Sequence, residues 1–436
     1  MVSAYAELEE RMRDRLGGRE CLHVPSCRFG LYLALRHWCR PGGRVLMSPV
    51  NDDVIFFVVL AAGLRPVQAP LDPRDGSIDT AAVPDSLWSG LSAVLTTNLY
   101  GNPDPAPELR AHCDAWGIPL LEDAAHAIGS TVGGRPVGTW GEASVFSLSK
   151  HTGAKTGGFL AFDDPSLRGE LTSARDELLH PSRTAAELAY LVRPYAEATV
   201  RGLRLVKAAH ATLRLLGQQE REEIRMPLRA GELKQALTAA PALAPFHSWV
   251  RVDMHDYRLG PGPGRLRRTG RLLARLDATL AAHRAGTERL LSTEWAPAGA
   301  TWQGGTGQGG AGPGRAGPGR AGPGEGERGG GEPRGGEPRG GEPREVQPLF
   351  RVPLLVGDRD AAIAALARRR IVTGYLYDPP LDTYAGELFT DLSPDPEPAS
   401  WFARHALPVD PRRAGEVIET LRAAGVRPVR YGDDRD

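Results

Sequence analysis

Pro119-Leu120-Leu121-Glu122-Asp123-Ala124-Ala125-His126-Ala127 is an apolar run that ends in two carboxylates. It reads as a buried strand delivering charge to its C-terminal end. Downstream, Val145-Phe146-Ser147-Leu148-Ser149-Lys150-His151-Thr152-Gly153 repeats the form, with a lysine after the apolar residues. In an open α/β sheet, ligands bind beyond the carboxyl ends of the strands. A carboxylate and a lysine delivered to one sheet edge are therefore the leading functional candidates.

The surrounding chain alternates strand-like and helical segments. Phe29 to Cys39, Asp53 to Ala62 and Glu108 to Trp116 read as helices. Arg44 to Pro49, Arg65 to Pro70, Leu91 to Thr97, Ile118 to Leu121, Ser144 to Leu148 and Gly158 to Phe162 read as strands. Helices between strands predict βαβ units and a mostly parallel sheet. Further on, Glu187 to about Leu243 reads as helical, and Arg265 to Leu291 as one long amphipathic helix. A strand at Pro348 to Val356 and helices at Arg359 to Arg370 and Ala414 to Ala424 suggest a smaller α+β domain. The expected organisation is an N-terminal helical segment (1–24), a large α/β domain (25–243), and a small domain from 244–302 and 345–436.

The segment 303–344 is almost entirely Gly, Pro, Arg and Glu, with Ala-Gly-Pro-Gly-Arg at 311–315 and 316–320 and Gly-Gly-Glu-Pro-Arg three times over 330–344. Lacking apolar side chains to bury, it is expected to be a disordered insertion. It also lacks the strict triplet of collagen.

Composition narrows the function classes. The 436 residues suffice for two or three domains, and 53 basic against 53 acidic residues leave no net charge to draw nucleic acid or an anionic membrane. Cys21, Cys27, Cys39 and Cys113 have no metal-ligand spacing, so no metal site is expected. They read as reduced thiols of a cytoplasmic protein. The start Met1-Val2-Ser3-Ala4-Tyr5-Ala6-Glu7 is not a signal peptide, and no apolar run is long enough to span a membrane.

Lys150 and Asp123 suit an enzyme of pyridoxal 5'-phosphate (PLP). The lysine would hold the aldehyde as a Schiff base and move the proton; the aspartate would keep the pyridine nitrogen protonated. Lys155 is the alternative lysine, and an N-cap is the plainer role for Asp123. Glu122 reads as structural. The N–H groups of Cys27 and Arg28, at a helix start, favour an anion such as the cofactor phosphate.

Together these pieces resemble the DegT/DnrJ/StrS family of PLP-dependent aminotransferases, of fold type I. Ser26-Cys27-Arg28-Phe29-Gly30-Leu31 resembles its phosphate-cradling helix start, and Leu99-Tyr100-Gly101-Asn102-Pro103 its Leu-Tyr-Gly-x-Pro turn. Glu122-Asp123-Ala124-Ala125-His126-Ala127 is similar to its Glu-Asp-Ala-Ala-(Gln/His)-Ala run, and Gly134 to Gly141 to the hairpin that follows. Phe146-Ser147-Leu148-Ser149-Lys150 with Gly157-Gly158 resembles its lysine segment, and Ala406-Leu407-Pro408-Val409 its Leu-Pro strand. The resemblance implies His126 near the cofactor's phenolic oxygen, and Ser26 and Ser147 as phosphate ligands, with Arg28 a further candidate. It also implies a homodimer, an amino-acid donor, and a keto acceptor such as a nucleotide-linked keto sugar or a cyclitol ketone.

The chain departs from the family at three places. Pro49-Val50-Asn51-Asp52-Asp53-Val54 has no aromatic residue to stack on the cofactor ring before Phe56. Pro227-Leu228-Arg229 is the nearest match to the family's Asn-x-Arg and lacks the Asn. The lysine segment is two residues shorter than usual. The leading reading is an aminotransferase. Other Cα or Cβ chemistry at the same PLP site is a second reading, and a non-catalytic regulatory or assembly protein a third.

Overall fold

The computed structural model describes residues 4–182, 225–251, 256–298, 303–304 and 345–433. The readings over 187–224 and 305–344 lie outside the described residues; the first two residues of the expected disordered insertion, Gln303 and Gly304, are described and pair as a strand with Val346 and Glu345.

Seven strands form the central sheet: β1 (Glu20–Val24), β2 (Arg44–Met47), β3 (Arg65–Gln68), β4 (Ala93–Thr96), β5 (Leu120–Asp123), β6 (Ala143–Ser147) and β7 (Gly158–Phe162). Their order is β1-β7-β6-β5-β4-β2-β3. All pairs from β3 through β6 are parallel, whereas β7 runs antiparallel to both β6 and β1. Strands β4 to β7 are buried throughout, which is why they read as continuous apolar runs without alternation. The α/β fold with a mostly parallel, helix-flanked sheet thus agrees with expectation.

Helices α1 (Ala4–Arg15), α2 (Cys27–Trp38), α3 (Asp53–Ala61), α4 (Ala106–Trp116) and α5 (Arg168–Leu178) flank the sheet. Helix α3 is buried along its whole length, so its sequence shows no polar face. The N-terminal segment is helical only over Ala4–Arg15; Glu20–Val24 is the sheet's edge strand, in register with Phe162 to Gly158. The amphipathic stretch after Arg265 is two helices, α6 (Pro263–Leu273) and α7 (Leu276–Leu291).

The C-terminal part is built on an antiparallel pair, β8 (Val352–Leu355) with β9 (Ala406–Val409). Helices α8 (Arg359–Arg368), α9 (Glu397–His405) and α10 (Ala414–Ala423) accompany it. The cores do not divide at residue 244. Phe246, Trp249 and Val250 pack into the main core with α2 and α3, and Leu266, Leu273, Leu276 and Leu280 pack with Leu8, Met12 and Phe146. Leu290 belongs to the C-terminal core with Val352, Leu407 and Val417, so α7 spans from one core to the other.

Candidate active site

Asp123 and Lys150 reach one cavity from neighbouring strands. Strand β5 ends at Asp123, paired with Val145 of β6, and Lys150 follows three residues after the end of β6. The cavity, of about 290 Å³, is lined by all seven residues singled out from sequence: Ser26, Cys27, Arg28, Asp123, His126, Ser147 and Lys150. Lys155 lines it too. Gly157 and Gly158 let the chain return beside β6. Gly157 has φ +100, and a Cβ at Gly158 would stand 2.3 Å from the carbonyl oxygen of Phe146.

Glu122 points away from the cavity. Its carboxylate accepts the N–H groups of Gly138, Trp140 and Gly141 at 2.8, 2.7 and 2.8 Å, which fixes the hairpin turn under β5. Asp123 is 4 % exposed, and its Oδ1 accepts from the N–H of Ala125 at 3.0 Å and the thiol of Cys27 at 3.7 Å. Burial pushes its carboxyl up to about 7; those two donors oppose the rise and the nearby Asp52 charge adds to it. Among the described residues no cation pairs with it.

Lys150 makes no hydrogen bond or ion pair among the described residues. Its Nζ lies 5.4 Å from the ring centroid of Phe350 and 5.5 Å from that of Tyr375. Enclosure lowers its pKa; Asp52 opposes this, while Arg351 and Arg28 push further down. Burial holds His126 well below the usual histidine range, hence neutral, with Lys150 and His151 acting in the same sense. The His126 ring stacks between Tyr100 (6.3 Å) and Phe350 (5.1 Å).

The helix start works differently from its side-chain reading. The Ser26 hydroxyl donates to the carbonyl of Tyr257 at 3.0 Å and accepts the N–H of Phe29 at 3.3 Å, so it caps α2. The Arg28 guanidinium donates to the carbonyl of Val250 at 3.0 Å and lies 5.7 Å from the Tyr257 ring centroid. The Cys27 thiol turns toward Asp123. Ser147 Oγ lies 2.9 Å from Ser149 Oγ and accepts the N–H of Ser149.

Several wall residues escaped sequence reasoning. Asp52 and Asn51 occupy the stretch where a stacking aromatic was sought; Asp52 also caps α3 through the N–H of Val54 at 3.1 Å. Tyr375 and Tyr377 come from the far end of the chain. They are held through Tyr100, whose hydroxyl donates to the carbonyl of Tyr375 at 2.8 Å and whose ring stacks on Tyr377 at 5.6 Å. Tyr100 and Asn98 have φ of 58 and 44, a backbone that non-glycine residues rarely adopt. Asn98 is held there by side-chain bonds to Thr96 Oγ1 and the carbonyl of Asp123, both at 2.9 Å. The arginine near the wall is Arg225, which donates to the carbonyls of Asn51 (2.6 Å) and Tyr377 (3.0 Å). Arg229, in the nearest match to the family's Asn-x-Arg, pairs with Glu232 on the surface. No signal in the sequence marks Arg225.

Among the described residues, no group of three or more His, Cys, Asp or Glu could hold a metal, and no helix is long and apolar enough to cross a membrane. All four cysteines are free and buried.

This sheet, with a lysine and an aspartate at its C-terminal edge, defines the class: a PLP-dependent transferase fold of type I. Residues 3–184 match the model of the DegT/DnrJ/EryC1/StrS aminotransferase family. It is similar to the spore coat polysaccharide biosynthesis protein SpsC of Bacillus subtilis, 28% identical over 58% of this chain and 67% of that protein. It is also similar to a UDP-N-acetyl-3-dehydro-alpha-D-glucosamine 3-aminotransferase of Acidithiobacillus ferrooxidans, 30% identical over 35% of this chain. There the chain spans only 44% of the relative's length. Among solved structures, it resembles an E. coli GDP-4-keto-6-deoxy-D-mannose-3-dehydratase with bound hydrated PLP, at a TM-score of 0.61. That likeness covers 97% of this chain and 92% of the other at 15% identity, and is one of fold.

Proposed function

We propose that the protein is a cytoplasmic, homodimeric PLP-dependent aminotransferase. It moves an amino group from an amino-acid donor, glutamate or glutamine, to a keto substrate, a nucleotide-linked keto sugar or a cyclitol ketone. The observation that carries this reading is the meeting of Asp123 and Lys150 in one cavity whose wall includes the first turn of α2. The residues fit PLP. Asp123 is a buried carboxylate with a raised pKa and, among the described residues, no paired cation, the complement of a protonated ring nitrogen. The N-terminal turn of α2 suits a phosphate. Lys150 is an amine with no hydrogen-bond partner among the described residues, and it lines the same cavity as Asp123.

When bound, PLP supplies an aldehyde to carry the amino group and a ring to take up electrons from the substrate carbon. Lys150 would anchor that aldehyde and, once released, hold or deliver the proton at Nζ; its lowered pKa eases the loss of that proton. Asp123 keeps a positive charge on the ring nitrogen. Neutral His126 lies flat between two rings, where it orients by stacking and donates or accepts at a ring nitrogen. Tyr375 and Tyr377 line the cavity beside them.

The test is a visible spectrum of the purified protein with PLP, then mixing with glutamate or glutamine and a panel of keto sugars. Donor-dependent loss of the band and an aminated product by mass spectrometry are expected. Products lacking a hydroxyl group, with no nitrogen gained, would favour the second reading, dehydration or other Cα/Cβ chemistry at the same cofactor. The 3-dehydratase with this fold and the carboxylate of Asp52 in the wall are what support that alternative.

A further inference from the structure

We propose that Tyr375 is a positioning residue for Lys150: its ring, with that of Phe350, holds the free ammonium at the mouth of the cavity between two aromatic groups. The inference rests on Lys150 being the reactive amine of the proposed site. A buried ammonium is normally held by a carboxylate or by carbonyl groups. Among the described residues Nζ has neither, and both ring centroids lie inside the roughly 6 Å range in which a ring face attracts a cation.

The two rings are not equivalent. Phe350 also carries the Arg351 guanidinium 4.1 Å from its centroid and stacks on His126 at 5.1 Å, so its attraction is shared. Tyr375 is 55% exposed and comes from a stretch with neither helix nor strand. That stretch is pinned by backbone bonds: Gly374 N–H to the carbonyl of Pro408 at 2.7 Å, and the carbonyl of Tyr375 to the Tyr100 hydroxyl. The backbone is fixed while the ring stands out over the lysine. A side chain this exposed contributes little to the core, and its ring lies 5.5 Å from Nζ. The arrangement steers Nζ to one side of the cavity when no aldehyde holds it, and favours its charged form. The other charged or titratable groups acting on Lys150 are Asp52, which favours the charge, Arg351 and Arg28, which oppose it, and Cys27, which would favour it only as a thiolate. Asp123 and His126 adjoin them and sense Lys150 in turn.

The experiment is trace labelling of lysines with acetic anhydride in the full chain, stripped of bound aldehyde with hydroxylamine. Labelling of Lys150 and Lys155 is followed by peptide mass spectrometry across a pH series. Tyr375→Leu is expected to move the Lys150 midpoint to lower pH, giving about two- to five-fold faster labelling below the midpoint, with an unchanged plateau. Tyr375→Phe, which keeps the ring, should match the wild type, and Lys155 should be unaffected. An unmoved midpoint in Tyr375→Leu, a plateau that rises without a shift, or an equal shift in Tyr375→Phe would each overturn the proposal. Adding PLP to the wild type separates the two readings. Protection of Lys150 upholds the cofactor assignment whatever Tyr375 does, and no protection defeats that assignment without touching the clamp.

Discussion

The thiol of Cys27 donates to Oδ1 of Asp123 across 3.7 Å, joining the first turn of α2 to the end of β5. Burial, followed by the charge and hydrogen bond of Asp123, raises the Cys27 thiol well above its usual value, so it stays protonated and can only donate. The two elements expected to grip opposite ends of a cofactor are thereby linked before any cofactor arrives. Cys27→Ala should weaken PLP affinity by about two- to five-fold, the effect of one weak bond to a charged acceptor. Cys27→Ser, which restores a donor, should recover it. Fluorescence titration with PLP measures both, and an unchanged Kd in the alanine variant would show that the contact does not orient Asp123.

Asp123→Asn should retain PLP yet lose transamination by on the order of 10²–10⁴-fold, because an amide cannot hold the positive ring nitrogen. A second consequence needs no turnover. The folded carboxyl titrates at about 7 against an ordinary 3.8, so the folded chain holds a proton the unfolded chain has lost in between. Asp123 therefore costs stability progressively as pH rises from about 4 to about 7 in the cofactor-free protein. Asp123→Asn should remove that cost. Its melting temperature should exceed the wild type's by more at about pH 8 than at about pH 5. A constant difference across that range would contradict the raised pKa.

Lys150→Ala should abolish both turnover and covalent capture of PLP. After borohydride reduction of the wild type, the phosphopyridoxyl group should be on the peptide containing Lys150. A label on Lys155 would reassign the anchor, since Lys155 lines the same cavity.

Asp52 offers a test of charge inside the site. Its carboxylate raises both the Asp123 carboxyl and the Lys150 amine. Asp52→Asn keeps the cap on α3, because asparagine caps as well as aspartate. Both limbs of the pH–rate profile should move to lower pH. If the limbs stay put while the rate falls, Asp52 acts by contact with substrate and not through charge.

Asp123 and Lys150 were legible because each ends an apolar run short enough to be only a strand, and because Gly157-Gly158 marks where the chain must return tightly. Asp52, Tyr375 and Phe350 were not, since their relation to the lysine is made by the fold across more than 200 intervening residues in the case of Tyr375. Distance in sequence hides such partners. Arg225 gave no motif to read, because its place beside Asn51 and Tyr377 comes from tertiary burial. The break between α6 and α7 was hidden for a different reason. Leu266, Thr269, Leu273, Leu276, Leu280 and His283 are all buried, and their spacing of three and four continues unbroken across Ala274 and Arg275. Periodicity reports a buried face and is silent about a turn that preserves it. Strand β1 was missed because Glu20–Val24 is short and alternates little, its apolar character coming from the cover of α1.

The flanks of the Gly- and Pro-rich stretch give a last expectation. Gln303 pairs with Val346 and Gly304 with Glu345 as an antiparallel ladder, so the chain leaves and re-enters at adjacent points. Replacing 305–344 by a four-residue Gly/Ser turn asks only for a hairpin connection, which such a pair accepts. Loop closure costs about 0.6 kcal/mol per doubling of length, so roughly three halvings should raise stability by about 1–2 kcal/mol. The Arg284 guanidinium, which donates to the carbonyl of Val346 at 3.0 Å, should hold the shortened ladder on α7. Thermal melting and the PLP spectrum of the shortened chain decide the matter. A lower melting temperature would mean that the removed residues contribute to the fold. Equal melting and an equal spectrum, with amination of the acceptor lost, would instead assign them to substrate or partner binding.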